Sequence, residues 1–352
     1  MKLSFVKKVL GVTAALCIAA STVNAAGSPE YRFKMATGWP GGPIMDEGPK
    51  AFAKKVEELS NGRIQIQVFP GGALGNPQKV SETVKNGIAD MGHLWMGHDW
   101  GRDTTTVLFA GYAGSFDSEV MLHWLYQGGG YELQREFREK EFGLVSMPLF
   151  IRTPEVFLHS RKPVRTLADM QGLKLRTVGA WLDLAKQLGA ATVTSPAADV
   201  YTMLERGVID ATEWGTPYEN VSPGFNKVSK YVIVPGVHQP TAPFELVINH
   251  KTWDKLSAED QQMIEYAARL VTLDSWLKLG YEDAKALKWF EEQGNEVIEL
   301  DPEVQQAVLK TAQKWGASQA AENDWFKRVM EHQAAFETVW RKGQRSRKLS
   351  NQ

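Results

Sequence analysis

Between residues 31 and 92 the hydrophobic pattern switches repeatedly between two periods, and few architectures accept that alternation. Residues 31–36 (YRFKMA) read as a strand, as do residues 63–69, where Ile64, Ile66 and Val68 fall at every second position. Residues 49–59 put Phe52, Val56 and Leu59 on one helical face. Residues 77–86 read as another helix, stopped by Gly87, and residues 88–92 return as a strand. Strand, helix, strand, helix, strand with short links predicts a parallel sheet with helices on its faces.

A second unit of the same kind spans residues 167–234. Within it, Leu173-Lys174-Leu175-Arg176 alternates as a short strand, residues 180–188 read as a helix stopped by Gly189, and residues 191–193 form another strand. A helix from about Pro196 to about Glu205 leads to Asp210-Ala211-Thr212-Glu213-Trp214. Residues 244–249 (FELVIN) read as a strand returning to the first unit. Two crossings, near residues 150 and 240, therefore join two lobes, and that layout allows hinge closure. Residues 257–292 read as one long helix with a capping-box start at Ser257. Helical patterning resumes at Asp301-Pro302 and runs to about residue 341, with a break expected near Gly316. The aromatic load of that tail (Trp315, Trp325, Phe326, Phe336, Trp340) either wraps the lobes or docks on a second chain.

Residues 1–26 have the form of an export signal: Lys2, Lys7 and Lys8, then an apolar stretch from Val9 to Ala20, then small residues suited to cleavage. Cys17, the single cysteine, lies inside that stretch, so the mature chain has no disulfide, thiolate metal site or cysteine nucleophile. Of 40 basic residues 37 then remain against 41 acidic ones, moving the net charge from −1 to −4. That balance disfavours nucleic acid and anionic membranes as partners. His93 and His98 lack the cysteine pair that would complete a zinc finger, and there is no GxSxG elbow.

In open α/β sheets ligands bind beyond the carboxyl ends of the strands. Arg176 stands at such an end, where a guanidinium needs a partner: a ligand carboxylate gripped by its planar fork, or an internal acid. Glu213 could neutralise Arg176 or hold a hard cation through its oxygens, and Trp214 could cover the carbon skeleton of a ligand. On a regular strand Glu213 and Trp214 face opposite ways, so both reach one pocket only where the strand ends. Trp39, after the first strand, either touches ligand or plugs the seam between lobes. Glu245, a charge in an apolar strand, is either a ligand or an edge carboxylate facing water.

Taken in order, FKMATGWP, AFAKKVEELSNGRIQIQVFPGGALG, KNGIADMGH, TLADMQGLKLRT, ERGVIDATEW, NKVSKYVIVPG and FELVINHKTWDKLSAEDQQMI resemble the periplasmic substrate-binding proteins of tripartite ATP-independent (TRAP) transporters, of the DctP type. The resemblance covers essentially the whole mature chain. It implies a bilobed α/β periplasmic-binding-protein architecture with a hinge, a long helix spanning both lobes and a helical C-terminal extension. Its units would be a signal peptide (1–26), lobe 1 (27–150, with 240–256 returning to it), lobe 2 (151–239) and the helices of 257–345.

The resemblance also implies a receptor without catalysis or a required cofactor, delivering a small organic acid to membrane permease subunits. The DATEW motif resembles the branch for 2-oxo and 2-hydroxy acids. By that likeness Arg176 binds the carboxylate, and a sodium or calcium ion held by Glu213, the Trp214 carbonyl and Glu245 bridges protein and ligand. A glutamine usual in that branch falls at Glu155. Arg152 nearby would oppose a cation or grip a second carboxylate. The branch also implies a homodimer through the C-terminal helix. The rival readings are an exported hydrolase or lyase using Glu213 as base, and a ligand-sensing partner of a membrane kinase.

Overall fold

A computed structural model describes residues 28–347, so the signal-peptide segment lies outside the described residues. The first sheet contains β1 (Tyr31–Thr37), β2 (Ile64–Phe69), β3 (Met91–Trp95) and β4 (Val145–Arg152). The second contains β5 (Leu158–Ser160), β6 (Lys174–Arg176), β7 (Ala191–Val193), β8 (Ala211–Thr212) and β9 (Tyr231–Val234). β10 (Ala242–Ile248) returns to the first sheet and β11 (Glu296–Glu299) to the second. The orders are β2-β1-β3-β10-β4 and β11-β9-β5-β8-β6-β7.

The parallel pairs β1/β2 and β1/β3 follow from the helices that cross between them, while β10 runs antiparallel between β3 and β4. In the second sheet β6 is parallel to both β7 and β8, with Arg176 opposite Thr212. Phe33, Met35, Phe52, Val56 and Ile64 close the core on one side of the first sheet, the residues expected from the period-two and period-3.6 patterns.

The long helix Ala258–Glu292 begins where Ser257 caps the Asp260 N–H, at 3.1 Å. Its buried positions, among them Ile264, Ala268, Val271, Ser275, Leu279 and Phe290, recur every three or four residues. It holds both lobes. Thr272 and Ser275 accept the backbone N–H groups of Phe150 and Ile151 at 3.1 Å, and Asp283 accepts that of Tyr218 at 2.9 Å and the hydroxyl of Thr153. Phe150 has φ +85°, an unusual value for a bulky residue, and lies where β10 shifts register between Pro243 and Glu245.

Two features differ from the sequence reading, and a third bears on an alternative it left open. β11 interrupts the helical tail and pairs in parallel with β9. The tail breaks at Asn323 rather than near Gly316: Asn323 is extended and its side chain accepts the Phe326 N–H, starting the helix Asp324–Arg347. Gly316 lies within the helix Pro302–Glu322, and a Cβ there would come within 3.3 Å of the Tyr112 hydroxyl, so its small size serves packing. The tail also uses its aromatic groups within its own chain. Trp325 packs on Phe137, Phe336 on Phe116, and Trp124 Nε1 donates to His332 Nδ1 at 3.0 Å.

Glu245 is a correction. β10 is interior to its sheet, and Glu245 is 1 % exposed and bound to Arg138, which Asp99 also contacts at 2.7 Å. Ser146 donates at 2.7 Å to Oε2, the oxygen that also accepts from Arg138 Nε at 3.1 Å. Neither a water-facing edge nor a ligand role fits a carboxylate held this way. Burial raises its pKa against the pull of Arg138 and Ser146. Removing one partner of a buried ion pair costs about 3–5 kcal/mol. Glu245→Ala is therefore expected to lower stability in urea unfolding by about that amount, while the surviving folded protein keeps its ligand affinity.

Candidate functional site

The carboxyl ends of β1, β6 and β8 and the two crossing segments enclose a cavity of about 450 Å³ between the lobes. β8 is only two residues long, so the chain leaves the sheet at Thr212. Glu213 and Trp214 are freed from strand alternation there, and both line the cavity. Trp39 lines the opposite wall. Its indole donates to His93 Nδ1 at 2.7 Å and packs edge-on against Phe244. His93 Nε2 lies 2.9 Å from the Leu149 carbonyl, which fixes Nε2 as the protonated nitrogen, and burial drives the pKa down to about 3. Trp39 is thus both a seam residue and a cavity wall.

Two arginines face the cavity in different states. Arg152, at the end of β4, donates to Glu155 Oε1 at 2.7 Å, and its Nε makes an ion-pair contact of 2.5 Å with Glu219 Oε2. Burial opposes its charge, but Glu219 and Glu155 outweigh that and hold its pKa above the ordinary value. Its Nη1 and Nε are thus engaged by protein carboxylates. Arg176 is 5 % exposed, donates one hydrogen bond to the Ser195 carbonyl at 2.7 Å, and stands 3.8 Å from Glu213 Oε1. Its Nε has no partner, and burial pulls its pKa down despite Glu213 and Glu155. A buried guanidinium with unfilled donors is costly, and an entering carboxylate would remove that cost.

Glu213 accepts the Val178 N–H at 3.1 Å. Burial raises its pKa, with Arg176 opposing and Glu155 adding to the effect. The Trp214 carbonyl, expected beside a cation, lies 3.4 Å from Arg152 Nη1. Its indole stands 5.9 Å from the Arg176 guanidinium.

Two polar residues here escaped the sequence reading. Glu219 lies in a short helical turn with no pattern to mark it, and is 3 % exposed against Arg152. His238 follows the Pro235-Gly236 turn. A Cβ at Gly236 would stand 2.1 Å from the Glu155 carbonyl, so only glycine lets that turn press onto the segment carrying Glu155. Glu155, Glu213 and His238 each offer a ligand atom within 4.8 Å of the others, and both ring nitrogens of the buried His238 lack hydrogen-bond partners. These three residues fit a cation. Of these, Glu213 was expected as a metal ligand and Glu155 as a ligand-binding residue, whereas His238 was not expected.

The family model for DctP, described as bacterial extracellular solute-binding protein, family 7, matches residues 35–323. A monocarboxylate 2-oxoacid-binding periplasmic protein of Nostoc sp. is 28 % identical over 314 residues, covering 88 % of this chain and 85 % of its own. A TRAP solute-binding protein from Bordetella bronchiseptica, a mixed-occupancy dimer with copurified calcium and picolinate, superposes with a TM-score of 0.83 at 27 % identity, covering 89 % of this chain and 94 % of its own. Another from Pseudoalteromonas atlantica, with bound sodium and pyruvate, gives 0.82 at 27 % identity, covering 88 % and 95 %. The order of strands, the bilobed α/β fold and these matches agree: the chain belongs to the DctP family of bacterial extracellular solute-binding proteins.

Proposed function

We propose that this protein is a periplasmic receptor that captures a small 2-oxo or 2-hydroxy carboxylate between its lobes and delivers it to the permease subunits of a TRAP transporter. The observation that carries this reading is Arg176: a buried guanidinium with an unpartnered Nε, lining a cavity of about 450 Å³. That volume suits a small molecule. The ligand carboxylate would take the open donors of Arg176, with Trp214 and Trp39 covering its carbon skeleton. A bound cation would neutralise charge between the protein carboxylates and the acid. Glu155 and Glu213 would hold it, as acid-bound relatives carry calcium or sodium.

Glu155 and His238 lie on the two crossing segments, so closure about those segments would bring the donors and the ligand together. Docking of a second copy through Asp324–Arg347 would use the outer face of that helix, where Val339 is exposed, since its aromatic groups pack inward. The rival reading, a hydrolase or lyase with Glu213 as base, gains nothing from a carboxylate that already accepts the Val178 N–H and faces Arg176.

Charged hydrogen bonds contribute about 1.5–3 kcal/mol each. Arg176→Ala is therefore expected to weaken acid binding at least about 100-fold in calorimetry without unfolding the protein, and Arg176→Lys to lose most of that affinity because it lacks the fork. Unchanged affinity in Arg176→Ala would refute the site. In a thermal-shift screen of organic acids, a 2-oxo acid at about 100 times its dissociation constant should add about 2.7 kcal/mol of stability. Consumption of more than one equivalent of the acid would replace the receptor with an enzyme.

A further inference from the structure

The third donor beside Glu155 and Glu213 is a nitrogen, and that separates this site from an all-oxygen one. His238 is 2 % exposed and wedged between the rings of Phe157 and Trp181, with centroids at 5.6 and 5.5 Å. Its position is set by backbone. The Gly236 turn presses on Glu155, Gln239 N donates to the Gly236 carbonyl at 2.9 Å, and Glu155 N donates to the Gln239 carbonyl at 3.2 Å. Its Nε2 lies 3.4 Å from Glu155 Oε2, the oxygen that Arg152 leaves free, without forming a hydrogen bond. Donors about 2.0–2.2 Å from a tetrahedral zinc ion stand about 3.4 Å apart, so this pair already has the spacing of two corners of such a site.

Charge leads to the same ion class. Arg152 and Arg176 face Glu155, Glu213 and Glu219 in the cavity wall. With the imidazole neutral, one negative charge is left over. A monovalent cation with a monoanionic acid leaves that excess in place, whereas a divalent cation with the same acid cancels it. Donor chemistry then chooses among divalent ions. Calcium takes about six to eight oxygen ligands, whereas imidazole suits zinc, nickel and their first-row neighbours. Two ligands are also held from behind: Glu155 Oε1 by Arg152, and Glu213 Oε1 by the Val178 N–H.

We propose that Glu155, Glu213 and His238 bind a first-row divalent metal ion, with zinc as the representative, in preference to calcium or sodium, and that the organic acid is received as its chelate. Three protein donors leave a zinc ion an open position. That position faces the cavity and Arg176, where a 2-oxo or 2-hydroxy acid can offer its carboxylate and its second oxygen. Only the identity of this last ligand rests on the proposed function; the metal site stands on the three side chains.

The test uses chelator-stripped, untagged protein with no acid present, titrated with Zn²⁺, Ni²⁺, Mn²⁺, Ca²⁺ and Na⁺. One equivalent of Zn²⁺ is expected to bind at least about 100-fold more tightly than Ca²⁺. His238→Gln, which replaces the nitrogen by an oxygen, should weaken Zn²⁺ at least about tenfold and leave Ca²⁺ nearly unchanged. Ca²⁺ binding as tightly as Zn²⁺, or Zn²⁺ affinity unaltered in His238→Gln, overturns the proposal. Imidazole nitrogen NMR of the unmodified protein reads the same point should that variant fail to fold: a Zn²⁺-induced shift confined to His238 among the seven histidines supports the site, and no shift there overturns it. Zinc binding without any acid binding would leave this site standing and remove the receptor reading. Acid binding that needs no metal and is lost in Arg176→Ala would keep the receptor reading and overturn the chelate.

Discussion

The parallel pairing of β6 with β8 is the constraint on which the site depends. Its register sets Arg176 against Thr212, so the next residue of the β8 chain, Glu213, emerges beside the guanidinium at the carboxyl edge of the sheet. β8 then stops, and Trp214 is free to turn toward the same space. The resulting contact between Arg176 and Glu213, 3.8 Å, is close enough to offset part of the cost of burying two charges and too long to fill the donors of the arginine. Arg138, whose Nε and Nη2 are held by Glu245 and Asp99 away from the cavity, shows the structural alternative. The difference between those two arginines separates a binding group from a core brace.

Around that edge the fold supplies walls and a way to move them. The long helix holds Phe150 and Ile151 through Thr272 and Ser275, and holds Thr153 and Tyr218 through Asp283. Both lobes are therefore anchored to one long helix, and the short segments between β4 and β5 and between β9 and β10 connect the two sheets. Glu155 and His238 sit in those segments. Two of the three groups proposed to hold a cation are thus on segments that join the lobes, where ion binding and lobe closure would be coupled.

The charge balance of the cavity gives that coupling a direction. Arg152 is neutralised twice, by Glu155 and by Glu219, and both contacts also fix where Glu155 points. Its free oxygen is left toward His238. The aromatic groups complete the environment. Trp39, Trp95, Trp181 and Trp214, four of the twelve tryptophans, line the cavity and lower the polarity around the charges. Electrostatic interactions strengthen in such surroundings.

The sequence by itself determined the elements and much of the site. Hydrophobic periodicity marked both α/β units and the helix of 258–292, because a strand or helix that buries one face must repeat its apolar residues with that period. Arg176, Glu213 and Trp214 were legible because they stand at strand ends inside one α/β unit, where topology dictates convergence. Only the tertiary structure decided between Glu245 and His238. Glu245 is a lone charge in an apolar strand and His238 stands beside Gln239 in a Pro/Gly-containing stretch, and nothing local assigns either of them to the cavity. Glu245 became a core brace because β10 is inserted between β3 and β4, which turns it toward Arg138. His238 reached the cavity because Gly236 lets one crossing segment lie against the other. Both outcomes depend on contacts between segments remote in the chain, and for that reason no local pattern encodes them.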